Sequence, residues 1–219
     1  RQQAQQAPFR IELPLLLLVV CAFSNNAAHA ACKAFSSAYM DTVHRLPTSL
    51  IGAVTSAGMF GAIVAALSSS RLARRRSSGQ LMLMASVGIA ISLLTMSLIP
   101  HWVGGAAGLV GVFAILGLWR PAFQSLQMEI ARPEWRSMVS GASAMGMSMG
   151  FGSMSFGGGY IVTGMGYSKV FLAGAAMATV SALVALPLIR RMGRSIPGDD
   201  AEEPLGGSYR EREPAATSG

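Results

Sequence analysis

Two short stretches place polar side chains among residues that are otherwise apolar or small. In 118–127, "LWRPAFQSLQ", Arg120, Gln124 and Gln127 recur at helical spacing and share one face. In 21–39, "CAFSNNAAHAACKAFSSAY", Asn25, Asn26, His29, Lys33, Ser36 and Ser37 fall within an arc of about 120°, at about 100° per residue. Leu15 to Val20 have no such stripe, so the polarity starts part-way along that run. A guanidinium cannot shed its proton to escape an apolar solvent. Arg120 therefore needs a carboxylate, a water-filled vestibule or an anionic ligand, unless it snorkels to the headgroups. Glu129 lies nine residues on and nearly opposite in helical phase, which makes it a poor partner. Pro121 removes one backbone hydrogen bond, kinks the helix and frees a carbonyl beside Arg120. Lys33 either joins the polar face or snorkels outward. His29 has an ordinary pKa near neutral, so it is the candidate for carrying a coupling proton.

What this chemistry is worth depends on the solvent. The chain has 219 residues, of which 52% are hydrophobic and only 12% charged. Soluble domains carry roughly a quarter charged residues, so this composition is that of a membrane protein. The net charge of +7 does not mark a nucleic-acid binder, because the arginines cluster in short gaps between apolar runs. Cys21 and Cys32 both sit in the first apolar run, as small hydrophobes, and imply neither a disulfide nor a zinc framework.

A spanning helix needs roughly 20 mostly apolar residues. Six stretches qualify: about 13–37, 47–69, 80–99, 102–128, 136–163 and 168–189. The predicted class is an all-α integral membrane bundle over 13–190. Residues 1–12 read as the end of a cytoplasmic linker, and 191–219 as a polar, Gly/Pro-rich disordered tail. The chain begins with Arg1 and no secretory leader precedes the first span, so it reads as a piece of a longer chain.

Six spans put Arg1, Arg10, Arg71, Arg74, Arg75, Arg76, Arg132, Arg136, Arg190, Arg191 and Arg194 on one side, against Arg45 and Lys169 on the other. Eleven against two makes both termini cytoplasmic, in a plasma or inner membrane. Arg120 lies about 12 Å from the inner end near Met128, at 1.5 Å per residue. The fifth span, "GASAMGMSMGFGSMSFGGG", offers Ala142, Gly146 and Gly150 four apart, a flat strip for close helix approach. Over 81–99 and 170–189 the third and sixth spans contain no charged residue and read as lipid-facing support.

Over about 10–194 the order of these features resembles the C-terminal half of a major facilitator superfamily transporter. "SRLARRR" resembles the family's cytoplasmic loop motif, Gly-x-x-x-Asp-Arg-x-Gly-Arg-Arg. Arg71, Arg74 and Arg75 match its basic positions, while Ser70 replaces its acid and Ala66 and Ala73 its glycines. "PEWRSMVSG" before a Gly-rich span resembles the entry to the family's eleventh helix. Gly141, Gly150, Gly158 and Gly159 echo its antiporter glycine pattern, although Met154 and Ser155 interrupt the Gly-Pro step. The resemblance implies a six-helix bundle that is half of a twelve-helix carrier. The first and fourth spans would line a central cavity, the second and fifth would face the missing N-terminal six-helix half, and the third and sixth would support from outside.

The expected function is secondary transport of a small solute by alternating access. Asn25, Asn26, His29, Lys33, Arg120 and Gln124 would form one wall of the substrate cavity. No Asp or Glu lies deep in any span, so an acid needed for a cationic substrate or for proton coupling must come from the missing half. A non-transporting six-span scaffold or receptor subunit is the alternative. The Gly-x-Ser-x-Gly letters at 146–150 fall inside an apolar span and lack the strand-to-helix context of that motif, no His/Glu metal spacing suggests an enzyme, and no cofactor is expected.

Overall fold

The structure, a computed structural model, describes residues 13–73, 76–131 and 133–192. Among these the regular elements are helices: α1 (Leu13–Thr42), α2 (Thr48–Ala73), α3 (Ser78–Leu98), α4 (Trp102–Ile130), α5 (Arg136–Met165) and α6 (Tyr167–Met192). A 3₁₀ turn, Pro133–Trp135, leads into α5. Six helices stand where six spans are predicted, but most run past the apolar windows. α1 continues five residues to Thr42, whose hydroxyl donates to the Ala38 carbonyl at 2.6 Å. Helical hydrogen bonding needs no apolar side chains, so hydropathy sets the span and not the helix. α6 reaches Met192, two residues into the segment expected as tail. The linker 1–12 and the rest of the tail lie outside the described residues.

Five helices, α1 to α4 and α6, are long and apolar enough to cross a membrane, as expected of a multi-pass membrane protein. The sixth, α5, has the length, but its Gly and Ser residues dilute its hydropathy.

Close contacts give the directions. Gly146, Gly150 and Gly158 of α5 meet Val19, Phe23 and Phe35 of α1 in the same order, so these helices run parallel. Gly58 and Gly61 of α2 likewise meet Phe113 and Ala114 of α4. α3 and α6 are antiparallel: Gly79 meets Ile189, Ser86 meets Ser181 at 3.3 Å, and Ser97 donates to the Ser168 carbonyl at 2.9 Å. The start of α1, the end of α6 and the α2–α3 and α4–α5 connections therefore share one end of the bundle. Ser78 donates to Glu129 there at 2.7 Å, and Leu18 and Leu188 pack in one cluster with Trp119 and Phe123. Arg71, Arg76 and Arg136 belong to that same end, as the charge count requires.

The packing has an internal symmetry. Replacing each helix by the one three places along maps α1–α5 onto α4–α2, and α3–α4 onto α6–α1; α3–α6 and α1–α4 map onto themselves. Because α1 and α4 run in opposite directions, the two triplets are related as an inverted repeat. α1 is the most enclosed helix, with 61% of its most apolar window buried, and α2 the least, with 6%.

The third and sixth spans differ from expectation. They do not only support from outside: α3 and α6 pack against each other and bring a polar knot into the bundle. Ser181 lies 3.1 Å from the Cys21 thiol and donates to the Cys21 carbonyl at 3.4 Å. Ser86 lies between Ser181 and Asn25, whose amide donates to it at 3.4 Å. Interhelical hydrogen bonds in membranes are worth about 0.6 kcal/mol on average. Ser181→Ala should accordingly lower unfolding free energy by about 0.6 kcal/mol and by no more than about 1.7, measured by denaturation in mixed micelles. A larger loss would mean that the knot holds the three helices in register.

Candidate substrate face between α1 and α4

α1 and α4 cross near their middles, where His29 meets Phe113 edge-on at 5.9 Å between ring centroids. Phe151 of α5 lies tilted to the imidazole, with 6.3 Å between ring centroids. His29 is only 4% exposed, and its Nε2 has no hydrogen-bond partner. One turn further along α1, Lys33 is exposed and its Nζ stands 5.9 Å above the Phe151 ring, a cation–π distance. Arg120 is exposed on α4, seven residues beyond Phe113. Gln124, one turn beyond Arg120, is also exposed.

The structure brings His29 and Lys33 together around Phe151 and leaves Arg120 and Gln124 exposed on α4, while two other expected members are placed differently. Asn25 is wholly buried and turned to Ser86 at the back of α1, within the polar knot. The predicted arc straddled the edge of the uncovered face: Asn25, His29 and Ser36 fall inside the bundle, Lys33 and Ser37 outside. Asn26 stands half-buried at the margin and donates to the Ala22 carbonyl at 3.1 Å, so its amide is partly engaged by its own helix. In α4 the same boundary falls between Gln124 and Gln127, the latter 5% exposed with its amide nitrogen unpartnered. Glu129 accepts from Ser78 and does not serve Arg120.

Gly146 and Gly150 are buried against α1 and form the close approach expected of them; Ala142 is half-buried. Arg71 is exposed at the end of α2, while Arg74 and Arg75 lie outside the described residues. Sequence reasoning missed Phe113 and Phe151 as walls around His29, since neither stands out among the apolar residues of its span. Ser86 and Ser181 had a signal, a hydroxyl deep in an otherwise apolar run. Among the described residues, no three His, Cys, Asp or Glu side chains group to hold a metal ion.

No known family model matches the chain, and neither does any curated protein.

Proposed function

We propose that the chain forms one half of a secondary carrier of the major facilitator type, moving a small solute by alternating access. The observation that carries this reading is that the symmetry-related helices α1 and α4 each expose a cation, Lys33 and Arg120, and meet at His29 and Phe113. Charged groups at membrane depth are costly and occur where they line an aqueous path or meet a partner. Inverted repeats with a site at their interface are a recurrent carrier design, and the packing symmetry here supports that comparison. A second six-helix unit, the N-terminal half, would cover the face and complete the cavity. His29 would carry the coupling proton where an acid of the covering half balances the positive charge nearby, since burial and cations alone disfavour an imidazolium.

Substrate-dependent flux into proteoliposomes by the full-length protein tests the reading. Absence of flux for anionic, neutral and cationic solutes alike would favour the scaffold alternative. In orientation, the basic end of the bundle is cytoplasmic and both termini with it. Cysteine at Ser77 should be labelled only from the cytoplasm and cysteine at Thr42 only from outside. Native Cys21 and Cys32 are buried, so background labelling should be low. Labelling of both introduced sites from one side would reject the topology. The further expected cytoplasmic site, Ser195, lies outside the described residues.

A further inference from the structure

We propose that the uncovered face between α1 and α4 binds organic anions that carry an aromatic ring, with the anionic group between Arg120 and Lys33 and the ring against Phe151. The inference rests on the transport reading and names its substrate class.

Its first support is the charge inventory. Two cations, Lys33 over Phe151 and Arg120 on α4, are exposed on the helices that enclose His29. The three carboxylates among the described residues, Asp41, Glu129 and Glu134, all stand at helix ends. A single acid on a covering unit would neutralise one cation and leave the other with spare capacity. A neutral or cationic solute entering the covered cavity would leave desolvated positive charge uncompensated, which is strongly unfavourable.

The second support is geometric. His29 is enclosed between Phe113 and Phe151, and its Nε2 lacks a partner. With the ring proton on Nε2, this buried donor lacks an acceptor, and an anion oxygen would satisfy it. Arg120 offers a planar fork suited to carboxylate, sulfonate or phosphate oxygens, and Lys33 a point charge. Phe151 is half-buried and already lies beneath the Lys33 ammonium, so an aromatic ring can pack there while its anionic group meets the cations. Inorganic anions would forgo that contact.

Three probes with the same ring test this: benzenesulfonate, benzenesulfonamide and trimethylanilinium. The sulfonate stays charged and does not leak through bilayers as a neutral acid. Thermal shifts and Kd values are measured on the full-length protein in detergent, and uptake in proteoliposomes. Benzenesulfonate alone should raise Tm, and methanesulfonate, lacking the ring, should bind more weakly. Arg120→Gln and Lys33→Gln should each weaken benzenesulfonate binding about tenfold or more, the scale of a lost charge-assisted hydrogen bond. Should either fail to fold, Arg120→Lys supplies the comparison, keeping the charge and part of the affinity. Equal shifts from all three probes, or Kd values unchanged in the variants, would overturn the anion site. Uptake of trimethylanilinium, or of benzenesulfonamide above that of protein-free liposomes, without benzenesulfonate keeps the carrier and overturns the anion assignment. A benzenesulfonate-specific shift without uptake of any probe overturns the transport reading and keeps the site. Neither shift nor uptake overturns both.

Discussion

Gly150→Leu should prevent normal assembly of the bundle, whereas Gly152→Leu, two residues away, should leave it intact. A side chain at Gly150 would collide with the backbone of α1: its Cβ would fall 2.9 Å from the Phe23 carbonyl carbon and 3.0 Å from its Cα. Backbone atoms in a packed helix cannot rotate aside, so α5 must move away from α1 and give up its contacts along Val19, Phe23 and Phe35. Overpacking costs about 1–3 kcal/mol where side chains can adjust, and the absence of that relief puts this substitution at or above the upper end. Gly152 faces open space, with nothing within 4 Å of a Cβ, so leucine there adds only surface and should shift stability by about 0.5 kcal/mol or less. Folded yield and Tm in detergent separate the two. The inverted repeat extends the test, since Gly117 of α4 abuts the Ala62 backbone of α2 in the same way. Gly117→Leu should resemble Gly150→Leu, and equal behaviour of Gly150→Leu and Gly152→Leu would remove the α1–α5 approach.

The fold was legible where a bilayer constrains it. Run length marks helices, basic gaps gather at one end of the bundle, and small residues four apart mark close approach; all three depend on residue type and spacing alone. Pairing was not legible, because the outer faces of α2 and α6 read much like their packed faces. In water an apolar stripe marks the inside of a helix, but in lipid both sides are apolar. Hence the spans assigned to outside support turned out to meet at Ser86 and Ser181. The polar site was half legible for a related reason. A helical wheel places Asn25 and Lys33 on one broad arc, but it does not say where α3 and α6 cut that arc. The cut passes between Asn25 and Asn26, and again between Gln124 and Gln127. Only the packing divides a polar stripe into a part that holds helices together and a part free for a ligand.

Arg120 lies in the free part, and its substitutions distinguish a binding group from an anchor. The guanidinium is exposed on a face also occupied by Lys33, away from the carboxylates at the helix ends. Arginine at the centre of a membrane helix costs roughly 2.5–3.5 kcal/mol on insertion scales. If Arg120 binds substrate, Arg120→Leu relieves that cost, so the variant should fold at least as well as the native protein while its flux falls. A lost charge-assisted contact of about 1.5–3 kcal/mol corresponds to a flux decrease of roughly ten- to a hundredfold at subsaturating substrate. Arg120→Lys keeps the charge and loses the fork, so flux should fall less and folding should be unaffected. An anchor snorkelling to the headgroups gives the opposite order: lysine substitutes well, and leucine shifts the helix without abolishing flux. The measurement is flux per folded protein for both variants in the full-length protein. Near-native flux in Arg120→Leu would take Arg120 out of the cavity.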